Sequence, residues 1–186
     1  MTDRRQTILR AALPLFVTKG YSSTTIMDIR KASGATTGSI YHFFEGKPGI
    51  AVALWESAND DWQKRTTCQI GGGTPKEMVQ ASVKGLAEWA LADRALFLFY
   101  EDMRIRALTT PELKAISDTL REGFDRGRSI YKTWVEAGAV RDMPWPLASA
   151  LMLGPTYDYL RKCGDRREHR AVVRSLAELA WQAIKP

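Results

Sequence analysis

Cysteine and histidine are nearly missing from this chain of 186 residues: Cys68, Cys163, His42 and His169 are all it has. Two distant cysteines, with no Cys or His at metal-ligand spacing, exclude a disulfide framework and a structural zinc site and suit a reducing cytoplasm. Two isolated histidines, no nucleophile elbow and no glycine-rich phosphate loop leave little from which to assemble an enzyme. No catalytic residue, metal or cofactor is therefore expected. Long apolar runs are lacking too. The most apolar stretch, Met143 to Pro155, contains Pro144, Pro146, Gly154 and Pro155, and it is shorter than the roughly 20 residues a spanning helix needs. The opening MTDRRQTILRAALPLF carries charge where an export signal would be hydrophobic, so no membrane segment and a cytoplasmic location are expected. Clean alternation of apolar and polar residues between turn signals is also missing, and with it the pattern of a strand.

What is present is apolar spacing of the helical kind, almost everywhere, and the chain is read as all-α. Its 45% hydrophobic residues suffice for a core, since a chain of this size hides roughly 70% of its unfolded surface. The net charge of +6 is uneven: residues 1–55 hold seven basic and three acidic groups, against 20 and 18 in the remainder. A positive field concentrated at one end favours an anionic partner there, although many solvated faces are equally basic.

Ile8, Ala11, Ala12, Leu15 and Phe16 follow one helical stripe that ends at Lys19 and Gly20, with Pro14 expected to kink it. Thr25 followed three residues later by Asp28 has the arrangement of a capping box, opening a short helix to about Ser33. Gly34 permits the left-handed backbone of a tight turn, and Thr36 can cap another short helix to about Phe44. A fourth helix is expected after Gly46, with Pro48 in its first turn, and Gly71 to Pro75 read as a flexible linker. Five further helices are placed at about 76–91, 93–107, 111–137, 146–162 and 167–184, the last two separated by Gly164 and Asp165.

Residues 24–47, TTIMDIRKASGATTGSIYHFFEGK, combine two short helices with a glycine turn. A helix-turn-helix needs small polar residues where its second helix begins, so that bases can be approached, and Thr36, Thr37, Gly38 and Ser39 supply them. Ile40 and Phe44 would face inward, leaving Tyr41 and His42 toward a groove wall, and free amides at the helix start attract phosphate.

GATTGSIYHFFEGK, preceded by TTIMDI and by a helix ending LFVTKGY, resembles the TetR (tetracycline-repressor-like) family over about residues 5–55. That resemblance implies an all-helical protein of about nine helices. Residues 1–47 would form a three-helix DNA-binding domain and 48–186 a helical regulatory and dimerisation domain, with a connecting helix at 48–66 and the linker at 71–75. It further implies a homodimer on the double-stranded DNA of a near-palindromic operator. By position, Thr25, Tyr41 and Lys47 resemble phosphate-contacting residues, while Thr36, Thr37, Gly38, Ser39 and His42 match positions facing bases or neighbouring phosphates. A side chain at position 38 would block close approach. Pro14, and Pro48 with Gly49 after Lys47, depart from the pattern without removing a contact residue. Taken alone, Thr25 and Thr36 are equally readable as caps, Tyr41 as core and His42 as a solvated surface residue.

The family also implies a small-molecule effector. Trp89, Phe97, Phe99, Tyr100, Met103, Tyr131, Trp134, Met152 and Tyr157 are candidates to line an apolar cavity, a role in competition with ordinary core packing. Leu147 and Leu151, with Val172, Val173, Leu176, Leu179, Ala180 and Ile184, form stripes compatible with the family's dimer interface and equally with burial inside one subunit. The expected function is sequence-specific transcriptional regulation, by a repressor released from its operator by a small apolar or amphipathic ligand. The alternative is a helix-turn-helix regulator without a small-molecule ligand, controlled by a protein partner.

Overall fold

A computed structural model describes residues 4–70, 73–163 and 169–186, with the side chains of 66–70 left aside. Within these residues the chain forms nine α-helices, a single 3-10 turn at Pro111–Leu113 and no strand: α1 (Arg4–Thr18), α2 (Ile26–Ser33), α3 (Thr37–Phe43), α4 (Gly46–Ile70), α5 (Pro75–Ala92), α6 (Arg94–Arg106), α7 (Lys114–Glu136), α8 (Trp145–Lys162) and α9 (His169–Ile184). Gly71 and Gly72 of the expected linker, and the break expected at Gly164 and Asp165, fall outside the described residues. Thr74 caps α5 and Pro75 begins it. The Thr74 hydroxyl accepts from the Glu77 amide at 3.3 Å, Glu77 Oε2 accepts from the Thr74 amide at 2.7 Å, and Pro75 occupies the first turn, where it has no hydrogen bond to lose.

Packing divides the chain into two units, Met1–Asp60 with Arg94–Leu120, and Asp61–Asp93 with Arg121–Pro186. In the first, α1 buries Ile8, Leu9, Ala12 and Phe16, one stripe at helical spacing, against α2, α3 and α6. Phe16 stacks on Phe99 of α6 with centroids 5.5 Å apart. Trp55 of α4 stacks on Tyr100 at 4.9 Å, and the Tyr100 hydroxyl donates to Asn59 Oδ1 at 3.1 Å, so a buried tyrosine keeps a polar partner. Pro14 lies inside α1, which nonetheless continues to Thr18, and the Thr18 hydroxyl donates to the Pro14 carbonyl at 2.7 Å.

In the second unit α5 packs on α8 and α9, around Val79, Val83, Tyr131, Ala148, Met152, Ala177, Ala180 and Ile184. Trp145 at the start of α8 lies across α7 at Gly127. Its indole Nε1 donates to the Phe124 carbonyl at 3.0 Å, and a Cβ built on Gly127 would stand 2.5 Å from Trp145 Cζ2. Only a residue without a side chain lets the ring approach so closely. Arg141 fastens the end of α9, its amide donating to the Ile184 carbonyl at 2.7 Å, while the Tyr131 hydroxyl donates to Arg141's own carbonyl at 2.7 Å.

Candidate nucleic-acid interface

The helix pair α2 and α3 is assembled by its caps. The Thr25 hydroxyl accepts from the Asp28 amide at 3.1 Å, and Asp28 Oδ2 accepts from the Thr25 amide at 2.8 Å, completing the capping box. The same carboxylate receives the Lys19 ammonium at 2.6 Å, linking the end of α1 to the start of α2. The hydrogen bond from Lys19, then those from the Thr25 hydroxyl and amide, hold the Asp28 carboxyl well below the ordinary carboxylate range. Gly34 closes α2 at φ +63°, a left-handed conformation that other residues adopt reluctantly. Two residues later the Thr36 hydroxyl accepts from the Ser39 amide at 3.1 Å and starts α3. Each cap contributes about 1 kcal/mol.

Seven residues, Thr37–Phe43, form α3. Ile40 is fully buried, and Phe44, just past the helix end, is also buried, so this pair fixes the helix on its neighbours. The rest of α3 is turned outward. Thr36, Thr37, Gly38, Tyr41 and His42 are exposed, Tyr41 to 58%, and Ser39 is half-buried. The expected contact residues of α3 are therefore gathered on one accessible surface, with Thr25 exposed at the start of α2. Gly38 is informative because the fold does not require it. Its φ lies outside the left-handed region, and an added Cβ would meet nothing within 4 Å. Phe43, also exposed and edge-on to His42 at 4.9 Å between centroids, belongs to this surface. Nothing in the sequence marks it out, because Phe43 and Phe44 are adjacent and only one of them can anchor the helix.

Lys47 has a different setting from the others. Its ammonium donates to the backbone carbonyls of Tyr21 at 2.8 Å and Ser22 at 3.1 Å and stands 4.5 Å from the Tyr21 ring centroid. Burial, assisted by the positive charge of Arg106, lowers its pKa. Arg106, at the end of α6, meets the same turn. Its Nη1 donates to the Ser22 hydroxyl at 3.1 Å, and its Nε is held by Asp102 Oδ2 at 2.7 Å. Burial raises the pKa of Tyr21, with Glu112 adding to the shift and Arg106 opposing it. No local pattern announces Arg106, which lies 84 positions from Ser22.

The residues proposed for an apolar cavity do not form one group. Phe97, Phe99, Tyr100 and Met103 are core of the first unit, where Phe99 stacks on Phe16 and Tyr100 on Trp55. Trp89, Tyr131 and Met152 are buried in the second unit, with Trp134 and Tyr157 half-buried there. Tyr131 lines an open cavity of about 400 Å³ with Trp145, Met143, Val135 and Lys132. The stripes on α8 and α9 also divide. Ala180 and Ile184 are buried in the core of their own unit, the burial inside one subunit that their stripe also allowed. Leu147, Leu151 and Leu179 are exposed, while Val172, Val173 and Leu176 are half-buried.

No helix among the described residues is long and apolar enough to cross a membrane. Residues 8–54 match the family model described as bacterial regulatory proteins, tetR family. The chain is 40% identical over 138 residues to the HTH-type transcriptional regulator LmrA of Bacillus subtilis (strain 168), covering 70% of both chains. It is 24% identical over 141 residues to the HTH-type transcriptional repressor KstR2 of Rhodococcus jostii (strain RHA1), covering 75% of this chain and 69% of that one. Its fold matches the solved structure of the ketosteroid transcriptional regulator KstR2 of Mycobacterium tuberculosis with a TM-score of 0.79 at 22% identity, covering 100% of this chain and 97% of that one.

Proposed function

The chain belongs to the TetR family of helix-turn-helix transcriptional regulators, which are not enzymes, and from that premise we propose a cytoplasmic repressor that grips its operator as a homodimer and lets go when a small ligand binds. The observation that carries the DNA-binding face is α3 itself: Ile40 and Phe44 anchor it, while Thr36, Thr37, Gly38, Tyr41 and His42 stand outward with nothing of the fold above Gly38. Such a helix enters the major groove with its first turn against base edges. Tyr41 and Thr25 reach phosphate, Thr37 and His42 face bases, and the bare Gly38 backbone sets the distance of approach. Lys47, held by two carbonyls, fixes the turn that carries α2 and in this way serves the same surface.

A dimer follows from the operator's symmetry, since two copies of α3 must lie one duplex turn apart, about 34–36 Å. The exposed leucines 147, 151 and 179 on the packed pair α8 and α9 supply an apolar surface for the second copy. Ligand release requires that the effector bind one dimer geometry better than the other. Fluorescence anisotropy against promoter DNA tests the proposal. Neutralisation of about eight phosphates per dimer gives a log-log salt slope near −7. Binding that ignores salt, or no preference for any promoter sequence, removes it.

A further inference from the structure

Helices α5 and α9 line between them an open cavity of about 600 Å³, inside the range of small-ligand sites and lined by none of the aromatic residues singled out from sequence. One face of α5 contributes Lys84, Ala87, Glu88 and Leu91, spaced by three or four residues so that all look the same way. The first turns of α9 contribute His169, Arg170, Val173 and Arg174. Ala87, Leu91 and Val173 make an apolar surface. Around it stand Lys84, Arg170 and Arg174, with Glu88 the sole acid of the lining.

Several cations among the described residues are neutralised by a neighbouring carboxylate. Lys76, Arg104, Arg106, Lys132, Arg161 and Lys162 each have a carboxylate within 4.0 Å. Lys84, Arg170 and Arg174 make no ion pair or hydrogen bond among the described residues. Three like charges against the single carboxylate of Glu88 leave the hollow with an excess of positive charge, which raises the local potential for an anion. His169 is steadied in this wall by the Tyr159 hydroxyl, 2.7 Å from its Nδ1.

We propose that this cavity binds an amphipathic anion, a carboxylate or phosphate head on a short hydrocarbon chain. The head sits among Lys84, Arg170 and Arg174, and the chain lies on Ala87, Leu91 and Val173. A neutral apolar ligand would leave the cations as they are, and a bare inorganic anion would leave Leu91 and Val173 facing water. The proposal deepens the ligand-released reading and rests on it for any effect on DNA, although binding itself does not depend on it.

Isothermal titration of the full chain with sodium decanoate, decyl phosphate and decan-1-ol, at fixed ionic strength, separates the possibilities. Expected are saturable binding of one decanoate or decyl phosphate per chain and at least tenfold weaker binding of the alcohol. The ratio between the two anions identifies the head group. In the Lys84→Met, Arg174→Met double variant, anion affinity falls at least tenfold while the thermal midpoint and the alcohol's affinity stay put. Anions that bind no better than decan-1-ol, or equally well to the double variant, overturn the assignment, as does no binding of either anion. The same decanoate titrated into the protein on selected operator DNA keeps the two readings apart. Binding without release leaves the site standing and removes decanoate-type control. Release by an unrelated compound, with no decanoate binding, does the reverse.

Discussion

The ammonium of Lys47 donates to the backbone carbonyl of Tyr21 at 2.8 Å while standing 4.5 Å from the same residue's ring. One cation at the start of α4 thus holds both the main chain and the side chain of the turn joining α1 to α2. Hydrogen bonds from a charged donor are worth roughly 1.5–3 kcal/mol, so the turn depends on it.

Lys47→Met is expected to weaken operator binding about tenfold, corresponding to about 1.4 kcal/mol, by loosening the support of α2. The salt slope should stay that of the parent, because no phosphate contact is lost. A slope smaller in magnitude by about one per subunit would instead make Lys47 a phosphate contact.

Tyr41 and Gly38 separate contact from approach. Tyr41→Phe keeps the ring of an exposed side chain, so the thermal midpoint should not move, while DNA affinity falls by about five- to tenfold for all sequences alike. Gly38→Val meets open space in the free protein and should fold normally, yet abolish operator binding in a gel shift. Normal binding by the valine variant would mean that another surface meets the DNA.

Gly127→Ala places a methyl group 2.5 Å from Trp145 Cζ2. Such overpacking costs about 1–3 kcal/mol, to be read in urea denaturation. Trp145→Leu removes the clash, so alanine at 127 should be much better tolerated in that background. Additive losses in the double variant would deny the contact any role.

Asp28 supplies a pH dependence whose sign is fixed. Its carboxyl is depressed in the folded chain, chiefly by Lys19, so its contribution is complete above the unfolded value of about 3.9 and fades as pH falls below it toward the lower folded value. The gap in urea midpoint between the parent and Asp28→Asn should be constant from pH 7 to about pH 5 and narrow below about pH 4. A gap that widens on acidification would contradict the Lys19 pairing.

The helix-turn-helix was legible because its signals are local. Thr25 with Asp28, Gly34, and Thr36 with Ser39 each act within three residues or through one dihedral angle, and all three stand where the spacing placed them. The α8 and α9 stripes were ambiguous because helical spacing records that a face is apolar, not what covers it, and Ala180 is buried in the core of its unit while the adjacent Leu179 is exposed. Helix α6 read as part of the C-terminal domain, yet Phe99 stacks on Phe16 across 83 positions of sequence. The reach of Arg106 to Ser22 and the gathering of Lys84 with Arg170 and Arg174 are likewise tertiary facts, without a periodicity to betray them.

The vacant space over Gly38 has an evolutionary side. Most positions of a small helical module are constrained twice, by folding and by partner, and a change that suits one offends the other. Residue 38 is free of the first constraint, since an added Cβ meets nothing of the fold. Substitutions there need no compensating repair of the fold, so a library at this position reports on binding without the confusion of misfolded variants.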